Sequence, residues 1–330
     1  MPTQSTLSLP TARGLNEAMQ RVSRYMPGTP LVRSETLSRM FGLNVYLKIE
    51  TVTEIGSFKL RGAINCVMAQ GENASSIVAS STGNHGQGVA YAARILGKPS
   101  NIYLPDNPNL EKKRKIEALG ATTTIIGHDL NIAKEAAQAF ARTTGGLFVD
   151  DGEDLTVMEG AGTIGLEIGA ALEQVDYLVV PMGGGNLIAG CAACIKLRHP
   201  QCEVVAIQSS DASSMHESFL AKRPVEKDVH TLAECLAQRV PADLALQAVL
   251  QFVDQSFVVP DADLFAAAST MALYGHVLAE PGSAAGLACL ARFGDHFRKG
   301  ATVVLVVTGA NLDRPTLNRI LSAEPFAATA

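Results

Sequence analysis

The sequence predicts a doubly wound α/β protein with two lobes, and three observations support this fold class. Short apolar runs rich in β-branched residues alternate with helical patterns along almost the whole chain, which is typical of parallel sheets covered by helices. The runs are continuously apolar, so we expect strands that are buried on both faces. A chain of 330 residues is also too long for one simple core and suits two lobes.

Nine stretches are predicted as strands because each is a short run of apolar residues: 44–50, 76–81, 101–105, 122–127, 147–150, 177–183, 203–208, 257–260 and 302–309. Helical segments such as NLEKKRKIEALG (109–120) lie between most of them, and we interpret the EKKRK run (111–115) as the solvated face of that helix. Residues 76–150 form a compact β/α block. We therefore expect a small domain at 76–150 and a large domain made of 1–75 and 151–330.

Composition argues against several classes of protein. The net charge is −5 with scattered basic residues, and aromatic residues make up 5% with no Trp, so no nucleic-acid partner is expected. No apolar stretch reaches the roughly 18 residues of a membrane span, so no membrane partner is expected. The N-terminal MPTQSTLSLPTARG lacks the pattern of a signal peptide. The six cysteines suit a reducing compartment, so we expect a cytoplasmic protein.

Three predicted strands end in polar, glycine-rich turns, at 81–85, 183–186 and 308–311. Parallel sheets bind ligands at the carboxyl ends of their strands, and a glycine-rich turn that enters a helix presents backbone N–H groups to an anion. In the triple glycine at 183–185, no Cβ would keep phosphate oxygens away from the backbone. One such turn is equally well explained as a tight connection, but three together favour a binding site.

Lys59 lies in TEIGSFKLRGAIN (53–65), beside Phe58 and at the predicted start of a helix. A lysine in this position is commonly a surface residue. The alternative is a lysine in an apolar pocket, where burial disfavours the charged amine and allows a Schiff base with a carbonyl cofactor. The three polar turns elsewhere in the chain favour the second interpretation.

Two short motifs are interpreted as structural. GAGTIG (160–165) fits the dinucleotide pattern G-x-G-x-x-G, but Asp176 precedes the next strand where a ribose-binding acid should follow it. We therefore predict a glycine-rich packed helix there. Cys191 and Cys194 have the C-x-x-C spacing of redox and zinc sites, but no second pair accompanies them. We interpret them as small apolar residues on a helix face.

Together these motifs resemble those of the β-family, or fold type II, of pyridoxal-phosphate enzymes, and most closely the serine/threonine dehydratases and serine racemase. The resemblance covers roughly residues 28–315 and rests on GTPLVRS, GSFKLRGA, SSTGNHGQGVAYAARILG, GGGNL, EPGSAAGLA and VVTGANLD. It implies a tryptophan-synthase β-like fold of two doubly wound lobes, with pyridoxal 5'-phosphate in the cleft between them. The large domain would bind the cofactor and the small domain would carry the substrate loop. We also expect a homodimer or a higher homo-oligomer.

The resemblance implies a role for each matching residue. Lys59 would bind the cofactor covalently and act as general base, and Phe58 would pack near its ring. Asn84 would bind the ring hydroxyl, and Thr308 would contact the pyridine nitrogen. The backbone of the glycine loop would hold the phosphate, and the cofactor residues there and behind the ring are Gly183, Gly184, Gly185, Asn186, Leu187 and Glu280. The expected substrate-binding residues are Ser81, Thr82, Gly83, Asn84, His85 and Cys235, of which Ser81 and Thr82 are also expected to be catalytic.

Four positions depart from the family pattern. Ile55 stands where a threonine is frequent, and Cys235 takes the place of a glycine, which should reshape one wall of the site. Gln208 and Ser214 stand where some members carry carboxylate ligands for a divalent cation. A hard cation prefers carboxylate oxygens, so no metal is expected.

Thr308 favours elimination chemistry. A hydroxyl at the pyridine nitrogen need not keep a proton there, so the cofactor is a milder electron sink that discharges through a β-leaving group. We therefore predict an ammonia-lyase that removes water from a β-hydroxy amino acid and yields a 2-oxo acid and ammonia. The candidate substrates are L-threonine, L-serine, 3-phenylserine and 3-hydroxyaspartate. The alternatives are an amino-acid racemase, a β- or γ-replacement synthase, and a binding protein that has lost catalysis.

Overall fold

The computed structural model describes residues 8–327. Its strands are β1 (Leu31–Arg33), β2 (Asn44–Ile49), β3 (Ile77–Ser80), β4 (Ser100–Leu104), β5 (Thr122–Ile125), β6 (Leu147–Phe148), β7 (Tyr177–Pro181), β8 (Glu203–Ser209), β9 (Gln255–Val259) and β10 (Thr302–Val307). Its helices are α1 (Ala12–Val22), α2 (Glu35–Phe41), α3 (Lys59–Gln70), α4 (Asn84–Leu96), α5 (Leu110–Ala118), α6 (Leu130–Thr144), α7 (Leu155–Ala171), α8 (Asn186–Arg198), α9 (Ser214–Ala221), α10 (Asp243–Phe252), α11 (Asp261–Tyr274), α12 (Ala285–Arg292) and α13 (Arg314–Ser322).

Residues 1–7, half of the N-terminal stretch in which no signal peptide is predicted, lie outside the described residues. Within the described part of the chain, every helix is too short or too polar to cross a membrane.

The strands form two sheets. The larger has the order β1-β2-β10-β7-β8-β9, and the smaller has the order β5-β4-β3-β6. All neighbouring strands are parallel except β1, which runs antiparallel to β2. Parallel neighbours require crossover connections, which the intervening helices provide. The predicted α/β class is therefore confirmed, and β10, near the end of the chain, lies in the middle of the larger sheet.

Each of the nine predicted strands overlaps a strand of the structure, but two details differ. Strand β1 is absent from the prediction because LVR is too short to form a pattern. Full burial holds for central strands such as β8, in which every residue after Glu203 is buried. It is wrong for β5, whose Thr122 and Ile125 are exposed, because β5 is an edge strand that pairs only with β4.

The GAGTIG stretch lies within α7, so the prediction of a packed helix is confirmed. A Cβ on Gly160 would lie 2.6 Å from the carbonyl oxygen of Arg61, and one on Gly165 would lie 2.7 Å from that of Cys191. The glycines therefore let α7 pack closely against α3 and α8. Cys191 and Cys194 are buried on α8, and burial raises the pKa of Cys191 to about 12, as befits an unreactive core thiol.

A buried ion cluster fixes α3 in place. Arg61 is fully buried and its guanidinium donates to Glu50 Oε2 and to Glu167 Oε1, each at 2.7 Å. Lys48, also buried, pairs with Glu167 Oε2 at 2.5 Å. Glu50 follows β2 and Glu167 lies on α7, so the cluster joins three elements. Because Arg61 is two residues after Lys59, it also holds the start of α3.

Candidate active site

A cleft of about 500 Å³ opens where strands of both sheets end. Its walls include the segments after β3, β6, β7 and β10, as expected for a ligand site in parallel sheets. The structure brings all fifteen predicted site residues to this cleft. They are Phe58, Lys59, Ser81, Thr82, Gly83, Asn84, His85, Gly183, Gly184, Gly185, Asn186, Leu187, Cys235, Glu280 and Thr308.

Lys59 is the first residue of α3, and its side chain is 21% exposed. The backbone N–H of Phe58 donates to the Thr308 carbonyl at 3.0 Å, which joins the lysine turn to the end of β10. The Lys59 amine lies 5.0 Å from the centre of the Phe58 ring. Sequence analysis predicts an apolar pocket around the Lys59 amine. In the structure the Phe58 ring provides an apolar surface on one side, but a carboxylate lies on another side.

That carboxylate is Asp151. The Lys59 amine donates to Asp151 Oδ1 at 2.5 Å and also contacts Oδ2. His85 Nδ1 lies 3.6 Å from the same Oδ1, while its Nε2 lies 3.1 Å from the Val149 carbonyl oxygen. Burial raises the pKa of Asp151, but the positive charges of Lys59 and His85 outweigh this and hold it below its usual range. The cleft thus contains an ion pair of Lys59 and Asp151 with the His85 imidazole beside it.

The predicted substrate loop runs from Ser81 to His85. It begins directly after β3 and ends in the first turn of α4, where backbone N–H groups lack intrahelical partners and favour an anion. Ser81 Oγ accepts a hydrogen bond from Gly83 N at 3.2 Å, which shapes the turn. Thr82 lines the cleft and is half-buried. This arrangement suits the carboxylate of an amino acid.

Asn84 belongs to a hydrogen-bonded group with Glu280 and Asn311. Asn84 Nδ2 donates to Glu280 Oε1 at 3.0 Å, and Asn84 Oδ1 accepts from Asn311 Nδ2 at 2.8 Å. The same Glu280 oxygen accepts from Asn311 N at 2.9 Å. Burial raises the pKa of Glu280, and the hydrogen bonds from Asn84 and Asn311 oppose this. The two partners fix the orientation of the Asn84 amide in the cleft.

The glycine loop has the shape that a phosphate group needs. A Cβ on Gly183 would lie 2.5 Å from the Cys235 carbonyl oxygen, and Gly185 has a φ of +96°, which side chains rarely adopt. Helix α8 begins at Asn186 directly after the loop, so its positive end faces the same place. The side-chain amide of Asn186 donates to the Asp151 carbonyl oxygen. The residues present therefore fit a cofactor that carries a phosphate.

The remaining predicted residues form the other walls. Thr308 Oγ1 and Ser283 Oγ are 2.7 Å apart and share a hydrogen bond. Cys235 packs so closely that its sulfur would lie 2.4 Å from a Cβ on Gly282, and burial raises the pKa of its thiol well above the usual value. Cys235 is thus a neutral group on the wall.

Gln208 and Ser214, which stand where some family members carry metal-binding carboxylates, form hydrogen bonds within the protein. Gln208 Oε1 accepts from His216 N at 2.9 Å, and Ser214 Oγ donates to the Gln238 carbonyl at 2.6 Å. Among the described residues, no group of three or more His, Cys, Asp or Glu side chains is arranged to hold a metal ion.

Two charged features of the cleft are absent from the sequence-based prediction. Asp150 ends the predicted strand at 147–150 and Asp151 follows it, so the rule used for the other strand ends would have found them. Lys112 belongs to the run interpreted as a solvated helix face, and for this residue the interpretation is wrong. Its side chain is only 13% exposed and pairs with Glu234, and both residues line the cleft.

Comparisons with known proteins agree with this geometry. A family profile described as "Pyridoxal-phosphate dependent enzyme" matches residues 22–309. An L-threonine ammonia-lyase of Thermotoga maritima is 36% identical over 315 residues, which cover 94% of this chain and 78% of the relative. The processed form of threonine deaminase isoform 2 from Solanum lycopersicum superposes with a TM-score of 0.86 at 27% identity, covering 96% of this chain and 94% of that one. Maize serine racemase superposes with a TM-score of 0.89 at 26% identity, covering 96% and 98%.

Proposed function

Because the chain belongs to the family of pyridoxal-phosphate dependent enzymes, we propose that it is an ammonia-lyase for β-hydroxy amino acids of the threonine or serine type. The products are a 2-oxo acid and ammonia. The observation that carries the proposal is the meeting of Lys59, the substrate loop and the glycine loop in one cleft. Relatives with ammonia-lyase activity in their names, similar over most of both chains, support it.

Pyridoxal 5'-phosphate, when bound, withdraws electrons from the substrate's Cα and so makes its proton acidic. The glycine loop and Asn186 would hold the phosphate, Asn84 the ring hydroxyl and Thr308 the ring nitrogen. Lys59 would be the covalent attachment point, with Phe58 against the ring. Glu280 and Leu187 complete the cofactor side of the cleft.

Residues of the chain would bind the substrate carboxylate and transfer the Cα proton. The N–H groups at the start of α4, with Ser81, bind the substrate carboxylate and so orient the Cα–H bond. Lys59, as a free amine, takes that proton as general base. Thr308, whose hydroxyl shares a hydrogen bond with Ser283, offers a hydroxyl rather than a carboxylate to the cleft, and this favours loss of a β-leaving group over a long-lived carbanion.

A panel of β-hydroxy amino acids tests the proposal. L-threonine, L-serine, 3-phenylserine and 3-hydroxyaspartate are each incubated with the chain and pyridoxal 5'-phosphate, and ammonia and 2-oxo acid are measured. We expect both products in equal amounts from at least one substrate. Binding of the cofactor without products from any of the four would contradict an ammonia-lyase.

Lys59→Ala is the matched control and a prediction in its own right. It should abolish turnover and the visible absorbance of lysine-bound cofactor, because the amine is both attachment point and base. Absorbance spectra with added pyridoxal 5'-phosphate, together with the ammonia assay, measure both. An active, yellow Lys59→Ala protein would mean that the attachment lysine is misassigned.

Racemase activity is the second candidate, and Thr82 favours it. Its hydroxyl lines the cleft, and a serine racemase is among the structural neighbours. Conversion of one serine enantiomer into the other, measured by chiral chromatography, would support a racemase.

We further propose a small substrate-loop domain at 76–150, a large cofactor-binding domain formed by 1–75 and 151–330, a homodimer or higher homo-oligomer, and a cytoplasmic location. The four-stranded sheet, built only from strands between Ile77 and Phe148, supports the domain limits. Six free cysteines support a reducing compartment. Analytical ultracentrifugation tests the oligomeric state.

A further inference from the structure

Asp151 has no role among the functions proposed above, although it makes the closest polar contact of Lys59. The amine lies 2.5 Å from Asp151 Oδ1 and also contacts Oδ2. The two side chains are 21% and 39% exposed and both line the cleft. The pair is therefore partly shielded from water, where opposite charges interact more strongly than on an open surface.

The position of Asp151 does not depend on Lys59. Its carbonyl oxygen accepts a hydrogen bond from the side chain of Asn186, the first residue of α8. The turn that contains Asp151 is held by Asp150 Oδ1, which accepts from Gly152 N at 2.9 Å. The backbone of Asp151 is thus held beside the glycine loop by contacts that do not involve the Lys59 amine.

Both proposed uses of Lys59 depend on a proton. Attachment to the cofactor would replace the aldehyde C=O bond with a C=N bond, and the aldehyde oxygen would leave as water with the two protons of the neutral amine. Only a neutral amine has the lone pair that begins this exchange. As a general base, the neutral amine breaks the Cα–H bond and becomes an ammonium. A neighbouring carboxylate stabilises the ammonium, so it opposes the first process and assists the second.

We propose that Asp151 is the counter-ion of the Lys59 ammonium, a positioning residue that slows cofactor attachment and speeds proton removal from the substrate. The proposal rests on the proposed function, since it takes Lys59 as the cofactor lysine. If the Asp151 charge is removed, cofactor attachment should become faster and proton removal from the substrate should become slower. Damage to the shape of the cleft would instead impair both.

Other charged and titratable groups surround the pair. His85 on α4 faces Asp151 at 3.6 Å, and Lys134 on α6 pairs with Asp150 at 2.7 Å. Cys235 and Glu280 face the cleft from the larger sheet, and burial raises the pKa of both. Lys112 and Glu234 neutralise each other at the mouth. All of these groups except Asp150 remain in every variant below, and Asp150 is replaced only in its own control, so the difference between Asp151→Asn and the unmodified chain reports the Asp151 charge.

The experiment compares Asp151→Asn, Asp151→Glu and Asp150→Asn with the unmodified chain. Asparagine at 150 keeps the oxygen that accepts from Gly152, so this variant is a matched control for loss of a nearby charge. Each protein is stripped of cofactor, checked by circular dichroism, and mixed with pyridoxal 5'-phosphate at pH 6 to 9. The rate of appearance of the lysine-bound absorbance is recorded, followed by steady-state turnover with the substrate found in the panel.

For Asp151→Asn we expect attachment at pH 7 to be at least about tenfold faster, because an opposite charge within about 4–6 Å shifts such equilibria by one or more pH units. The rise of the attachment rate with pH should move to lower pH. Turnover should fall by about tenfold for the same reason. Asp151→Glu and Asp150→Asn should resemble the unmodified chain.

The proposal is overturned if attachment and turnover of Asp151→Asn change in the same direction, or if either is unchanged. It is also overturned if Asp150→Asn gives the same pair of opposite changes. Failure of the proposed function looks different, because the unmodified chain would then gain no lysine-bound absorbance or release no ammonia.

Discussion

At the residue scale, Thr82 concerns whether protons are transferred on one face of the cofactor or on both. Elimination from an L-substrate needs a base on the Lys59 side only, whereas racemisation also needs a donor on the opposite side. A threonine hydroxyl in a turn can alternatively bond a nearby backbone group, and β-branching limits its rotamers.

Thr82→Ala should therefore retain most L-substrate elimination and lose racemisation or D-substrate turnover by at least about 100-fold, the usual contribution of an acid or base. Thr82→Ser, which keeps the hydroxyl, is the control and should retain both. Assays of each enantiomer on the pure variants measure this. Collapse of L-elimination with normal cofactor binding would give Thr82 a part in the main reaction.

The buried cluster around Arg61 sets the behaviour of α3 at the element scale. Arg61→Met should lower the free energy of unfolding by about 3–5 kcal/mol, because it removes the guanidinium that pairs with the fully buried Glu50 and the mostly buried Glu167. Arg292→Met is the control, since Arg292 is half exposed and pairs with Asp263, and it should cost under about 1 kcal/mol. Urea unfolding monitored by circular dichroism measures both. Equal costs would show that the cluster does not hold α3.

The stabilisation that the Arg61 cluster provides should decrease at low pH. Burial raises the pKa of Glu167, but hydrogen bonds and charge from Arg61 and Lys48 outweigh this and lower it. A carboxylate with a lowered folded-state pKa stabilises the fold above its unfolded pKa, and this contribution is lost as pH falls through the folded value. The stability difference between the unmodified chain and Arg61→Met should therefore narrow below about pH 4.

The pair of Lys112 and Glu234 concerns the whole molecule, because it joins α5, next to the smaller sheet, to a turn beside the larger one. Lys112→Glu should cost little stability, under about 1 kcal/mol, since Glu234 is 61% exposed. It should nevertheless raise KM, because like charges then meet at the cleft mouth. The double variant Lys112→Glu/Glu234→Lys restores opposite charges and should restore KM. Steady-state kinetics test this, and an unrestored double variant would point to a direct substrate contact.

Chelation tests the whole enzyme for a metal requirement. Gln208 and Ser214 are engaged in hydrogen bonds to His216 N and the Gln238 carbonyl, and neither offers a carboxylate to a hard cation. Turnover in EDTA should therefore stay within about twofold of its value without chelator. A strong loss that Mg²⁺ or Ca²⁺ reverses would contradict this.

Much of the architecture follows from local pattern. Runs such as TVVLVV (302–307) are apolar throughout and end in polar turns, so the strands, their burial and the edge that carries the site are readable along the chain. The same local pattern separates GAGTIG from a nucleotide loop, because Asp176 precedes the next strand where a ribose-binding acid should follow it. The sequence pattern missed β1, in which only three residues, LVR, form the strand. It also gave the wrong burial for β5, because β5 lies at the edge of its sheet.

What the sequence by itself determined is the α/β class, nine of the ten strands of the described residues, and fifteen of the residues that line the cleft. Only the tertiary structure decided the electrostatics of the cleft. Lys59 meets Asp151 across 92 positions of the chain, and Lys112 meets Glu234 across 122. The physical reason is that burial periodicity reports which face of an element is covered, whereas a charge pair depends on how separate elements pack. Lys59 and the position of Asp151 at a strand end were therefore readable from the sequence, but the contact between them became visible only when β6 was placed beside β3.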